Sequence, residues 1–448
     1  MAKDLTQGPI TSQLVAFTVP LVLGNVFQMA YNAADSIIVG RMVGPEALAA
    51  VGICNPLSTL MILFLNGLCI GAGILMGTQF GAKQYDTLKR QISTTMLSGV
   101  AFSAMLSLIC IVFAFPILRL LRVEESIIGM TAEYMRIIFA GLVFTFLYNF
   151  FACTLRALGD SKTPLYFLVL SSLLNIAGDL FFVVALKLGS MGCAISTVLS
   201  EMICCLMCIL YIQKKVELLR LGRGWLLFDR SLLRQTVAYG WASAAQQATV
   251  QAGKIAIQAL ANSMGIAAAA AFTAVNRIDD FAYTPEQNIS HAMSSFMAQN
   301  RGAGKRGRMV NGFFAGIRLE VIYAAVVFAI GFFFRTQLMG FFSKDESVIR
   351  LGASYQLLSA PMYFLPALTN GLQGYFRGIG RLRITLAASM INMGLRVLVA
   401  FILVSGFAQP LGAIPWGNFA GWAGMLVLEI PLIRRDIAAH RAAAGEKK

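Results

Sequence analysis

Charge is scarce in this chain. Only 13% of its 448 residues are Asp, Glu, Lys or Arg, against 58% hydrophobic, and the mean hydropathy of +0.72 exceeds what a surface in water can carry. That shortage excludes a water-soluble globular domain. Histidine is scarcer still, with two residues, His291 and the tail residue His440, and neither an HExxH nor a GxSxG pattern occurs. The chain is therefore expected not to be an enzyme. No GxxxxGK[ST] loop is present either, so this chain alone is not expected to draw energy from ATP. The eight cysteines (Cys54, Cys69, Cys110, Cys153, Cys193, Cys204, Cys205 and Cys208) all fall in apolar stretches without metal-site spacing. They read as small packing groups.

What the chain has in abundance is apolar length. Stretches of about 20 apolar residues span a hydrocarbon core, and twelve are present, at roughly 13–38, 46–77, 94–116, 131–155, 163–186, 190–213, 236–261, 266–297, 311–334, 353–375, 384–405 and 411–433. All are expected to be helices, because lipid satisfies no backbone polar group. The first is too long for a signal peptide's apolar region and has no small-residue cleavage site, so it reads as a retained span.

The net charge of +15 does not point to nucleic acid, because its distribution is lopsided in another way. With both termini and the even-numbered connections on one side, 24 of the 36 Lys and Arg gather there, whereas the odd connections hold only Arg41, Arg119, Arg122, Lys187, Arg335, Lys344 and Arg350. Positive residues stay inside, so both termini are expected in the cytoplasm and the chain in a bacterial cytoplasmic membrane.

Laid on itself with an offset of 221, the chain aligns Gly44 with Gly265, Asn55 with Asn276, Gly81 with Gly302, Tyr134 with Tyr355, Asn149 with Asn370, Arg156 with Arg377 and Gly159 with Gly380. The expected fold is an all-α integral membrane protein with twelve transmembrane helices in two pseudo-symmetric six-helix lobes. The expected division is an N-lobe over 1–213, a cytoplasmic amphipathic linker over 214–235 and a C-lobe over 236–448 with its cytoplasmic tail. Six helices per repeat is an even number, so both halves start on the same side and substrate is expected between them.

An ionisable group near the bilayer centre costs at least ~2.5–3.5 kcal/mol on insertion scales, so each one calls for a reason. The first span holds Asn32 and Asp35 and the fifth Asn175 and Asp179, one helical turn apart on one face, while the sixth adds Ser196, Thr197 and Glu201. Together they form an oxygen-rich set suited to a proton or Na⁺. The alternative is that the acids merely satisfy neighbouring polar groups. Against it, Asp35 aligns with Ala256 and Asp179 with Arg396 in the second repeat, so a fold shared by both halves does not demand them. The second half has Gln246, Gln247, Gln251 and Lys254 on span seven and Arg277, Asp279, Asp280, Glu286 and His291 on span eight. There, local pairing of Arg277, Asp279 and Asp280 is the stronger reading. Tyr31, Asn32, Gln246, Arg277, Asp279, Asp280 and Met293 are the candidates for a substrate cavity, where Met and aromatic side chains would suit varied ligands.

Four segments carry a resemblance to a known family: TVPLVLGNVFQMAYNAADSIIVGRMVGPEALAAVG at 18–52, QFGAKQYDTLKR at 79–90 with its echo at 299–309, TLRALGDSKTPLYFLVLSSLLNIAGDLFFV at 154–183, and GYFRGIGRLR at 374–383. The chain resembles the multidrug and toxic compound extrusion (MATE) transporters over essentially its whole length. The resemblance implies two lobes in a V and antiport, with Na⁺ or H⁺ entry driving export of amphipathic, often cationic, small molecules. It places the cation site on Asp35, Asn175, Asp179 and Thr197 and implies no cofactor beyond the coupling ion. The expected partners are small molecules and membrane lipid, not nucleic acid, and the protein is expected to be a monomer. Some members carry an acid on span seven, where this chain has Gln246 and Gln247. A lipid-linked oligosaccharide flippase is the alternative, with Lys254, Arg277 and Arg396 as its cations.

The topology has a direct check. A cysteine at Gly304, in a cysteine-depleted background, should react with a membrane-impermeant maleimide only when the reagent reaches the cytoplasmic face. Reaction from outside intact cells would reverse the assigned orientation.

Overall fold

Hydrocarbon gives the backbone no hydrogen-bond partner, so a chain living there must satisfy itself within each segment. The computed structural model describes residues 4–220, 222, 226–404 and 410–443, and every regular element among them is helical. In the first half these are α1 (Ile10–Ile38), α2 (Pro45–Gly81), α3 (Tyr85–Val112), the short α4 (Ala114–Leu120), α5 (Glu125–Ala140), α6 (Leu142–Ala157), α7 (Lys162–Asp179) and α8 (Gly189–Lys215). In the second half they are α9 (Arg230–Ser263), α10 (Ile266–Gly302), α11 (Arg306–Phe333), the short α12 (Arg335–Phe342), α13 (Glu346–Ser359), α14 (Phe364–Gly378), α15 (Leu382–Val404) and α16 (Ala413–Ala443).

The pairs α5/α6 and α13/α14 each make one broken span, which gives six spans per half. The first pair bends by 40° at Gly141, where an added Cβ would lie 2.5 Å from Val198. Its counterpart breaks through a short 3₁₀ segment, Ala360–Tyr363, that contains Pro361. Seven described helices are long and apolar enough to cross a membrane alone, eight with the bent pair taken as one. Of the rest, α9 and α10 carry Lys254, Arg277, Asp279, Asp280 and Glu286.

The repeat is written into the backbone. α2 and α10 both run 37 residues, each opening on a positive-φ glycine, Gly44 at φ 119° and Gly265 at φ 101°. α3 and α11 both run 28 residues. Gly159 and Gly380, which close the fourth and tenth spans, share φ near 80°, at 85° and 78°. Loop motifs that stood out in the sequence serve as caps. Asp160 Oδ1 accepts from the backbone N–H of Lys162 and Thr163, which starts α7. Asp229 does the same for α9 through Ser231 and Leu232, and the Ser231 contacts hold its carboxyl below the usual carboxylate range.

Contacts divide the chain into two compact units, one built on Val19–Ala244 and the other on Leu5–Thr18 with Ala245 onward. In the first, Tyr134, Met135, Phe139, Phe146, Phe150 and Phe151 of α5 and α6 form the centre of the core. In the second, Leu5 is buried, its N–H donating to Gln299 and its carbonyl accepting from Asn300 and Arg308. All eight cysteines are free, and Cys153 donates to the Cys69 carbonyl at 3.0 Å in a space opened by Gly73. Seven of the eight are buried, as small packing groups would be.

Spans without a hydrophobic drive between them associate through small residues that let backbones approach. In the second unit Gly417 and Gly421 line the face of α16 that meets α15, and an added Cβ would stand 2.5 Å from the Arg396 carbonyl and 2.6 Å from that of Asn392. Neither obstacle can rotate away. Gly421→Val should therefore lower stability by about 1–3 kcal/mol, the range for overpacking, and reduce the unfolding temperature in detergent. An unchanged melting curve would mean that α15 and α16 can part without loss.

Candidate functional site

α7 presents Asn175 and Asp179 on one face, and α8 meets that face with Ser196 and Thr197. The approach is close because residue 178 is glycine, where a Cβ would sit 2.5 Å from Ser196 Oγ. Ser196 Oγ donates to the Asn175 carbonyl at 2.7 Å, and Asn175 Nδ2 donates to Thr197 Oγ1 at 3.2 Å and, more weakly, to Ser196 Oγ at 3.4 Å. The carboxamide is thus aimed by two neighbouring hydroxyls of α8. Asp35 arrives from α1, and its carboxylate, that of Asp179 and Cys193 Sγ each place an atom within 4.8 Å of the others.

Asp179 is 0% exposed and Asn175 2%. Three of the four carboxylate oxygens of the two acids are buried without a hydrogen-bond partner, as is Asn175 Oδ1. Among the described residues no Lys, Arg or His pairs with either acid. Two bare carboxylates at that separation would repel in a medium that screens poorly. A proton or a small cation between them would remove that repulsion, and hard oxygen donors suit both.

Each acid is followed by irregular helix. Asp179 directly precedes a π-helical stretch, Leu180–Ala185, and Asp35 lies one turn before another, Val39–Val43. π-helical turns are rare and recur at functional sites. Beside this group Glu201 accepts from Thr145 Oγ1, and Tyr31 stands within electrostatic range of Glu201, Asp35 and Asp179. The side chain of Asn32 lies outside the described residues.

In the second repeat the equivalent positions hold different chemistry. Arg396, opposite Asp179 in the alignment, lies over the Trp422 ring at 6.0 Å, and Asn392 donates to Met425 sulfur at 3.4 Å. The trio expected to pair locally does not. Asp279 accepts from Tyr363 at 2.8 Å, Asp280 pairs with Lys254 at 3.5 Å, and Arg277 is exposed. Two cavity expectations also need correction. Met293 is fully buried, its sulfur filling the space left by Gly316. Gln246 is tied up, donating to Gln373 at 2.9 Å and Ser389 at 3.1 Å, while Gln373 donates to the buried Glu429.

Sequence reasoning missed Cys193, Gln373, Glu320 and Glu429. The two glutamates carried a usable signal, a lone acid inside an apolar run. Nothing in the residue pattern marked Cys193 or the π turns.

The family model described as MatE matches residues 20–181 and 242–402, one segment in each repeat. The chain belongs to the MATE family. Among curated MATE relatives it is 31% identical to "Probable multidrug resistance protein YoeA" of Bacillus subtilis (strain 168), over 86% of this chain and 85% of that protein. It is 28% identical to "Probable multidrug resistance protein YpnP" of the same strain, over 87% of each. Among solved structures, "Crystal structure of MATE in the bent conformation" superposes with a TM-score of 0.91 at 21% identity, covering 98% of both chains. That likeness establishes the fold, a multi-pass membrane protein of twelve spans in two six-helix lobes.

Proposed function

We propose that this MATE protein is a secondary-active exporter of amphipathic, often cationic, small molecules, driven by entry of Na⁺ or H⁺ at Asp35, Asn175, Asp179 and Thr197. The observation that carries the coupling role is the pairing of half-buried Asp35 with fully buried Asp179, three of whose four carboxylate oxygens are orphaned, contributed by α1 and α7 in one repeat only. The drug class rests on the relatives, two of which are named multidrug resistance proteins. The protein works as a monomer in a bacterial cytoplasmic membrane, with both termini inside. Access alternates between an N-lobe over 1–213 and a C-lobe over 236–448.

A pair that must neutralise its charge supports exchange better than it supports packing. When a cation or proton occupies the acids the group is neutral, and when it leaves the group must rearrange or be re-wetted. Asn175 and Thr197 carry no charge, so their part is to orient and supply oxygen. The flippase reading loses support because two of its three cations are already engaged. Lys254 pairs with Asp280, and Arg396 lies over Trp422 within electrostatic range of Asp279.

The test is export of a fluorescent cation from proteoliposomes under an imposed Na⁺ gradient and, separately, a pH gradient. Asp35→Asn keeps size and one acceptor but cannot bind a proton or neutralise Na⁺. Coupling free energies of 1–3 kcal/mol correspond to roughly 5–150-fold effects, and a loss of that order in gradient-stimulated rate is expected, with normal expression. Asp179→Asn should behave alike, and Thr197→Ala more mildly. Parental rates for purified Asp35→Asn under both gradients would remove the acids of the first repeat from the mechanism.

A further inference from the structure

One cation in the second unit is left unanswered. Arg396 lies well inside α15, where a charge calls for a reason. It is half-buried, and its Nε is sealed off without a hydrogen-bond partner. Among the described residues no acid comes within ion-pair distance of it. The acids around it are committed elsewhere. Asp279, which feels its charge, accepts from Tyr363 at 2.8 Å, Asp280 pairs with Lys254, and Glu429 accepts from Gln373.

Glycines of α16 fix the root of the side chain. A Cβ added at Gly417 would lie 2.5 Å from the Arg396 carbonyl, and one at Gly421 would lie 3.2 Å from the Arg396 Cβ. The guanidinium carbon then stands 6.0 Å from the centre of the Trp422 ring, and Trp422 is itself held edge-on to Tyr283, at 6.0 Å and 71°. That contact takes up one face of the guanidinium. Its N–H edge, the part that grips a carboxylate through two parallel bonds, is left over. Asn392, one turn earlier on α15, carries a buried Oδ1 without a partner, yet the guanidinium is not turned to it.

The shared frame does not ask for this charge. The matching position in the first repeat is Asp179, of the opposite sign, while the asparagine one turn before is kept, as Asn175 in one half and Asn392 in the other. The same place thus carries an acid where a cation fits and a base where an anion fits. We propose, on the exporter reading above, that Arg396 is a substrate-recognition site for a carboxylate, so that amphipathic molecules bearing that group are carried as well as cationic ones. The ligand group is a single carboxylate and not a pyrophosphate, because Lys254 is held by Asp280 and Arg396 stands alone.

Equilibrium dialysis of the purified full-length protein in detergent tests this with 1-naphthoate, its methyl ester and 1-naphthylmethylammonium, each corrected for uptake by empty micelles. The parent should hold the carboxylate in preference to the ester. Arg396→Gln should weaken naphthoate binding by about tenfold or more and leave the ammonium compound unaffected. Arg396→Lys, which keeps the charge and loses the fork, should fall between the two. If Arg396→Gln does not fold, the drop from the parent to Arg396→Lys decides. Asp35→Asn should bind naphthoate as the parent does, so a failure of the cation site and a failure of this one register separately. Equal retention of acid and ester by the parent would overturn the proposal, and so would naphthoate binding unchanged in the arginine variants. Loss of all three compounds together in Arg396→Gln would mark a packing role and overturn it too.

Discussion

A charge held in a medium of low polarity is costly unless something opposite lies beside it, and most of what distinguishes one part of this protein from another follows from that. An isolated carboxylate buried there costs several kcal/mol even after relaxation. The chain meets the cost in three ways. Arg381 and Asp436 pair at 2.9 Å, with Asp436 largely buried. Asp279, Glu201 and Glu429 accept hydrogen bonds from Tyr363, Thr145 and Gln373. Asp179 and Glu320 have no partner on either carboxylate oxygen, and Asp35 none on its buried Oδ1.

The repeat makes this contrast sharper. Matched helix lengths, matched positive-φ glycines and matched caps show that both halves solve the same packing problem with the same backbone. The acids are laid on that common frame unequally. The first half has its pair on α1 and α7, where the second has Ala256 and Arg396. The second buries Glu286 on α10 and Glu320 on α11, where the first has Leu65 and Gly99. At three of these four positions the other half carries an apolar residue or glycine and at the fourth a base, so the shared frame does not itself demand the acids.

Much of this was legible from residues alone, for physical reasons. Twelve apolar stretches had to be helices because no other structure closes its own hydrogen bonds in lipid. The Asn175–Asp179 spacing of one turn fixed a shared face, and the structure adds that Asn175 is aimed by Ser196 and Thr197. Other features were beyond reach. Gln246 read as a cavity residue because a polar side chain in a span attracts notice, yet its partners, Gln373 and Ser389, lie 127 and 143 residues away and only packing reveals them. Met293 was chosen for its flexible thioether, but Gly316 on the neighbouring helix had already made a place for the sulfur. Arg277, Asp279 and Asp280 are close in sequence and diverge because successive residues on a helix point about 100° apart.

The same angle gives the π-helical stretches beyond Asp35 and Asp179 a meaning of their own. A π turn holds one residue more than an α turn. Winding Val39–Val43 or Leu180–Ala185 back to α geometry would turn the helix on one side by on the order of 100° relative to the other and lengthen it slightly, without breaking the chain. Each acid thus sits beside a swivel, one that could carry its carboxylate from one set of neighbours to another.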